Sequence, residues 1–216
     1  TAKASIDDTN ALLPLTADPR ALSYFTAVEN AFLNAAASRL IPTDQLGPGA
    51  REAGVVFFID QQMVGPFGRA ERWYMQGPWQ DGTKEQGYQL KLSPAQLYRH
   101  GIAAVDRYCQ ANFGGKPFAQ LAASQQDTLL QAMEKDKLAL TDVPAKAFFD
   151  LMLQNTIEGF FADPMYGGNR NFTGWKLIGF PGPRYNYVED IGRYGVRYPQ
   201  PPVGLSGRSG RIAGKS

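Results

Sequence analysis

The chain of 216 residues contains a single histidine, His100, and a single cysteine, Cys109. Structural zinc sites need several Cys or His ligands, and iron–sulfur clusters and c-type haem attachment need several cysteines or a C-x-x-C-H run. Such sites, and an intrachain disulfide, are therefore excluded. His100 and Cys109 lie nine residues apart in one predicted helix, roughly 13 Å along its axis at 1.5 Å per residue, which is too far for a catalytic pair.

Sequence motifs of common enzyme classes are missing as well. The chain contains no G-x-G-x-x-G after a strand, no G-x-x-x-x-G-K-[ST], no G-x-S-x-G and no H-E-x-x-H. No run approaches the roughly 20 consecutive apolar residues of a membrane-spanning helix. The carboxylates of Glu29, Asp60 and Asp150 are scattered along predicted helices. These absences argue against an enzyme acting alone, although a stand-alone helical enzyme using carboxylates stays as an alternative.

Apolar residues recur at helical spacing in five segments, at about residues 20–40, 50–63, 93–113, 117–137 and 144–161. Asp18 and Pro19 fit the cap and first position of the first helix, with Val28 on its apolar stripe, and Ile157 belongs to the apolar face of the last. Strand signals are weak, and only short runs such as residues 175–180 could be extended. The pattern predicts a mainly α protein, with a single helical domain of about five helices and long ordered loops.

Charge is distributed unevenly along the chain. Residues 1–169 hold 14 Lys/Arg and 18 Asp/Glu, whereas residues 170–216 hold eight Lys/Arg and two Asp/Glu together with nine Gly and five Pro. Such a terminus cannot close a core of its own. We expect an irregular segment over residues 1–19, the helical domain over 20–183 and an extended basic arm over 184–216. The arm is either a solvated tail or a segment that orders on an acidic partner; a nucleic-acid or membrane-surface module is the weaker alternative, because the acidic body would repel phosphates.

Aromatic residues and glycines alternate in DPMYGGNRNFTGWKLIGFPGPRY, residues 163–185, called here the signature segment. Glycine permits close approach of the backbone, while the aromatics demand burial. The carboxylate of Asp163 is expected to bind backbone amides of the turn that follows it. A structural loop is predicted here, built on Asp163, Pro164, Gly167, Gly168, Asn169, Gly174, Gly179 and Pro181. A ligand loop is the alternative interpretation, since Gly167 to Arg170 presents amides and a cation.

The signature segment closely resembles the hallmark of the gluconate 2-dehydrogenase subunit 3 family. The early run FTAVENAF, residues 25–32, and the helical body agree with that family in outline. The resemblance implies a non-catalytic small subunit in a periplasmic, flavin-dependent gluconate, fructose or sorbitol-type dehydrogenase. FAD is then expected on a large partner subunit and haem c on a multihaem cytochrome subunit, with no cofactor or metal bound by this chain.

The resemblance also implies where the chain works. Family members typically carry a twin-arginine signal with which the large subunit is co-exported, and the absence of an initiator Met fits a removed signal peptide. We therefore expect a periplasmic chain that meets the membrane only through its complex, and no nucleic-acid partner. Its expected role is to bind the large subunit for folding, stability and co-export.

Several Trp, Tyr and Arg side chains are candidates for binding the partner, because these residue types are favoured at interfaces. They are Trp73, Tyr74, Trp79, Tyr166, Arg170, Trp175, Arg184, Arg193 and Arg197. The first three form a satellite core in the alternative interpretation. Cys109 is read as a small buried hydrophobe or, in an oxidising compartment, as one half of an intersubunit disulfide. No catalytic residue is assigned.

Overall fold

The structure, a computed structural model, describes residues 20–80 and 82–207. Helices account for most of the regular structure, and no strand occurs among these residues. The α-helices are α1 Ala27–Leu40, α2 Val55–Val64, α3 Pro94–Asn112, α4 Ala123–Glu134, α5 Ala145–Phe161 and α6 Thr173–Ile178. Short 3₁₀ turns occupy Lys84–Gln86, Phe118–Gln120, Pro164–Tyr166, Arg170–Phe172 and Val188–Asp190. The predicted fold class, a single mainly helical domain, is confirmed.

Helix α1 begins later than the sequence pattern predicted. Its N-cap is Thr26, whose hydroxyl accepts the Glu29 backbone N–H while the Glu29 carboxylate accepts the Thr26 N–H, so that two otherwise unpaired amides are satisfied. The residues before Thr26 are non-helical because buried Asp60 on α2 accepts hydrogen bonds from the amides of Ser23, Tyr24 and Phe25 at 2.8–2.9 Å. The predicted Asp18–Pro19 start lies outside the described residues.

Helix α5 is the centre of the core and packs against α1, α2, α3, α4 and α6. Its Phe148 ring lies 6.2 Å from Phe32 of α1 and 5.7 Å from Tyr98 of α3. Gly101 lets α3 approach this ring, because a Cβ at that position would come within 2.5 Å of the Phe148 side chain. Burial of such aromatic side chains supplies most of the stability of the bundle.

Three details of the predicted pattern are wrong. Val28 of α1 and Ile157 of α5 are exposed rather than core-facing. The fourth predicted helix is divided into the 3₁₀ turn at Phe118 and helix α4, since Pro117 and Leu121 are extended. The run over residues 175–180 does not form a strand; most of it belongs to α6, which ends at Gly179 in the left-handed region. None of the helices in the described ranges is both long and apolar enough to cross a membrane.

Candidate interaction surface

Asn169 is the hydrogen-bonding centre of the signature segment. Its side chain is fully buried, and its amide group donates to the Ala162 carbonyl and accepts the Gly174 N–H, each at 2.8 Å. Its own backbone N–H donates to Gly159 of α5 at 2.8 Å. A single side chain therefore ties the end of α5 to the start of α6, and its positive φ of 45° is the turn geometry that Asn tolerates.

Glycines allow the signature segment to lie directly on α5. A Cβ at Gly168 would be 2.1 Å from the Gly159 carbonyl oxygen, and one at Gly174 would be 2.1 Å from the Phe160 carbonyl oxygen. No real Cβ contact is that short, so larger residues would push the segment away from the helix. The predicted structural role of these glycines agrees with this geometry.

Trp175 is an internal residue of the signature segment. Its indole N–H donates to the Phe161 carbonyl at 2.7 Å, and its ring stacks on Phe172 at 5.4 Å and meets Phe180 edge-on at 5.0 Å. The side chain is 5% exposed. Its residue type alone predicts Trp175 as a partner-binding residue. In the structure its main contacts are within the chain, where it packs against the end of α5.

Arg170 is likewise engaged within the chain. Its guanidinium donates twice to the Glu52 carbonyl, at 3.1 and 3.2 Å, and its backbone N–H donates to the Ala53 carbonyl. The segment before α2 is thereby fastened to the signature segment. Tyr166, by contrast, is half exposed and stays a candidate for partner contact.

Asp163 joins the signature segment to the C-terminal arm. One carboxylate oxygen accepts the Met165 N–H at 3.0 Å, which agrees with the predicted turn, and the other accepts the Leu205 N–H at 2.8 Å. Next to this contact, Val203 donates its N–H to the Pro181 carbonyl at 3.2 Å. The described part of the arm therefore returns to the body of the protein rather than leading away from it.

Between its two attachment points the arm exposes apolar side chains in unusual number. They are Tyr185, Val188, Ile191, Tyr194 and Val196, each more than half exposed. Contiguous exposed apolar patches larger than a few hundred Å² are rare on monomeric soluble proteins and usually mark interaction sites. Five such side chains within residues 185–196 make this stretch a candidate interaction surface.

The arginines of the arm differ in their surroundings. Arg193 pairs with Asp190 at 2.8 Å, while Arg184 donates to the Pro201 carbonyl at 2.6 Å and lies 5.3 Å from the centre of the Tyr198 ring. Arg197 has no hydrogen bond or ion pair within residues 20–80 and 82–207. Arg197 thus differs from the other two arm arginines, whose guanidinium groups contact described residues.

A shallow groove of about 500 Å³ lies between α6 and the arm. Helix α6 and the residues after it contribute Trp175, Lys176 and Phe180 to its lining. The arm contributes Arg197, Tyr198 and the neighbouring prolines. Sequence reasoning did not assign Lys176, Phe180 or Tyr198 to a site. The sequence feature that indicates this wall of the groove is the run YPQPP at residues 198–202, which favours a stiff, extended polyproline II segment.

The second aromatic cluster lies in the loop before α3. Trp73 is partly buried, at 5.8 Å from Phe67 and 5.0 Å from Tyr88, whereas Tyr74 is 81% exposed and Trp79 is 37% exposed. A cavity of about 320 Å³ opens among these rings. Trp73 thus fits the satellite-core interpretation, while Tyr74 and Trp79 retain the exposure that partner contact requires.

A third groove, of about 560 Å³, runs along α1 and α2. Its polar side chains bind one another: Asn34 donates to Asn30, Ser38 donates to the Asn34 carbonyl, and Arg39 pairs with Asp127 at 2.6 Å. Because these groups already have partners within the chain, they are not free to bind a ligand.

Cys109 is fully buried on α3, and this burial raises the pKa of its thiol to about 12. An intersubunit disulfide would require the thiol to leave the core, so the structure favours the buried-hydrophobe interpretation. The three carboxylates named as acid–base alternatives are also engaged: Glu29 with Arg99, Asp60 with backbone amides, and Asp150 with Lys146. In the described residues no group of three or more His, Cys, Asp or Glu side chains is placed to hold a metal ion.

Comparison with known proteins agrees with the resemblance carried by the signature segment. The model of the family described as gluconate 2-dehydrogenase subunit 3 matches residues 27–182, which is more than two thirds of the chain. No curated protein and no solved structure matches the chain. The match extends from the first residue of α1 to Gly182, and so covers the helical body and nearly all of the signature segment. The chain therefore belongs to the gluconate 2-dehydrogenase subunit 3 family and is a small subunit of a dehydrogenase complex.

Proposed function

We propose that this chain is the non-catalytic small subunit of a periplasmic, flavin-dependent sugar or sugar-acid dehydrogenase of the gluconate, fructose or sorbitol type. Its task is to bind the FAD-bearing large subunit and to support the folding, stability and export of that subunit. FAD and haem c belong to partner subunits, the large subunit and a multihaem cytochrome c, and the chain meets the membrane through the complex.

The observation that carries this proposal is the exposed apolar face of the arm. Tyr185 is fully exposed and Tyr194 is 87% exposed, and Val188 and Ile191 are about two thirds exposed. Leaving such side chains in water forfeits the roughly 25 cal/mol per Å² gained on burial. The arm is also held to the body by Asp163 and Pro181 rather than left free. The arm therefore loses little conformational entropy when a partner covers it, because a pre-ordered surface has less freedom to lose on binding.

Mass action supplies the mechanism. A chain that binds only the native large subunit stabilises that state by RT ln(1 + [L]/Kd), about 2.7 kcal/mol when the free chain is at 100 times Kd. With Tyr74, Trp79 and Tyr166 as further exposed aromatics, we expect an interface above the standard size of about 1,600 Å². Stabilisation of this size is enough to decide whether a marginal exported subunit survives.

The direct experiment is to express the FAD-bearing large subunit with and without this chain. The expected result is that yield, periplasmic export and FAD content of the large subunit all fall when the chain is omitted. A matched control omits the cytochrome subunit instead, which should leave FAD content unchanged. Full yield, export and FAD content without the chain would refute the proposed role.

A further inference from the structure

The groove between α6 and the arm has a charge pattern that points to a specific occupant. Lys176 and Arg197 both line it, and neither side chain has an ion pair or hydrogen bond with any described residue. No Asp or Glu is among its lining residues. Two uncompensated cations beside a concave surface attract a carboxylate, and partial exclusion of water strengthens that attraction.

The walls of the groove are apolar and already held in place. On one side the Phe180 ring meets Trp175 edge-on at 5.0 Å, and Phe180 keeps 41% of its surface exposed. On the other side Tyr198 is supported by Tyr187, whose ring is 5.9 Å away, and by the guanidinium of Arg184. The prolines that continue this wall have fixed φ, so little conformational freedom is lost when a ligand enters.

The attachment of the arm creates this groove. Gly182 has a φ of 78°, and a Cβ there would lie 1.9 Å from the Val203 carbonyl oxygen. The chain on either side of the arm's exposed stretch is thus pressed together at this glycine. The groove is therefore a feature of the folded body, and its arm side begins at Arg197, directly after the exposed Val196 in the sequence.

We propose that the groove receives an extended segment of the large subunit that carries an Asp or Glu beside an apolar or aromatic side chain. The carboxylate lies between Lys176 and Arg197, and the apolar side chain lies against Phe180 and Tyr198. This inference rests on the proposed function. It adds the location of the binding site on this chain and the chemistry by which the site binds the large subunit. A second copy of this chain is the other occupant that the test distinguishes.

The test uses the full chain and the purified large subunit, with their Kd measured by calorimetry. The double variant Lys176→Glu/Arg197→Glu should weaken Kd at least tenfold, and Lys176→Gln/Arg197→Gln should weaken it by a smaller factor. The matched control is Lys135→Glu/Lys137→Glu, which makes the same change of net charge at exposed positions outside the groove and should leave Kd within twofold. Circular dichroism and Tm of each variant establish that it is folded.

The dependence of Kd on salt concentration is a second measurement, which a purely structural effect of the substitutions would not change. Kd of the wild-type chain should rise with salt concentration, and the slope should flatten in the neutral double variant because its charges are gone. If the wild-type chain binds and both groove variants bind equally well, the groove inference is overturned while the subunit role stands. A dimer of the isolated chain that the glutamate variant abolishes would also overturn it. If the wild-type chain does not bind the large subunit at all, the subunit role fails, and the groove inference with it.

Discussion

The carboxylate of Asp163 accepts a hydrogen bond from the backbone N–H of Leu205 at 2.8 Å, across 42 positions of sequence. Its other oxygen accepts the Met165 N–H. This one side chain both shapes the turn after α5 and holds the returning end of the arm. The position of the exposed apolar face therefore depends on the first residue of the signature segment.

Replacing Asp163 by Ala should release the end of the arm. Amide hydrogen exchange at Leu205 should become at least tenfold faster, since a net hydrogen bond to a charged group contributes about 1.5–3 kcal/mol. Exchange within α3 should be unchanged. Glu189→Ala is the matched control, because Glu189 is an exposed arm carboxylate with no hydrogen bond or ion pair to a described residue. Unchanged protection of the Leu205 amide in Asp163→Ala would show that the Asp163 carboxylate does not hold the end of the arm.

Asn169→Gly should lower the free energy of unfolding by about 2–4 kcal/mol, measured by urea denaturation. Glycine accepts the positive φ, so the loss of stability reports on the side chain alone. Its removal takes the hydrogen-bond partner from the partly buried Ala162 carbonyl and from the buried Gly174 N–H. Asn171→Gly is the control: Asn171 also has a positive φ, of 58°, but its side chain is exposed. It should be neutral or slightly stabilising, and equal losses at the two positions would refute the assignment.

Gly168→Ala should cost about 3 kcal/mol or more, because the added methyl group would lie 2.1 Å from the backbone oxygen of Gly159 and neither partner is a flexible side chain. Gly192→Ala, where nothing lies within 4 Å of the new Cβ, should change stability by less than about 0.5 kcal/mol. Thermal unfolding of the two variants beside the wild type provides the comparison. A stable Gly168→Ala protein would mean that the segment does not lie against α5 as described.

Asp106 should make stability depend on pH in a direction opposite to most carboxylates. Burial raises the pKa of its carboxyl, although the Phe118 N–H that it accepts at 2.9 Å acts in the other direction. Because the folded-state pKa lies above the unfolded one, its contribution is fully present below the unfolded pKa of about 3.9 and is lost as pH rises through the folded pKa.

The variant Asp106→Asn keeps the acceptor oxygen and removes the charge. Its stability relative to the wild type should therefore increase as pH is raised from about 3 to about 7, followed by urea denaturation at each pH. A difference that is constant with pH, or that decreases, would show that the Asp106 carboxyl has no raised pKa in the folded protein.

The thiol of Cys109 should be unreactive in the native chain. Burial raises its pKa to about 12, so that at pH 8 only about one thiol in ten thousand is ionised and even that fraction is covered by the core. Titration with a thiol-specific reagent should give no reaction in native buffer and one equivalent in denaturant. A non-reducing gel of the complex with a larger, reducible band would instead establish a disulfide to a partner.

Local signals in the sequence were sufficient for the helical body. Four predicted helices have counterparts within a few residues, apart from the late start of α1, since their apolar faces repeat at helical spacing over many residues. The late start of α1 was missed because it is fixed by Asp60, 35–37 positions away, which binds the amides of residues 23–25. No local pattern announces a contact of that kind.

Residue types in the signature segment predicted tight packing but not its partners. The role of Asp163 in the following turn was predictable from a local rule, whereas its bond to Leu205 was not. Trp175 and Arg170 were assigned to a partner because their types favour interfaces, yet both make their main contacts inside the chain. Lys176 was not assigned to a site, and gains interest because the fold brings it to the same groove as Arg197.

If this chain stabilises the FAD-bearing subunit by binding it, the thermal stability of that subunit depends on how much of the chain is present. The Tm of the purified large subunit is therefore measured by flavin fluorescence as a function of added chain. Tm should rise with chain concentration, and a chain truncated after residue 183 should give a markedly smaller rise. A Tm of the large subunit that stays the same at every concentration of the full chain would contradict this stabilising role.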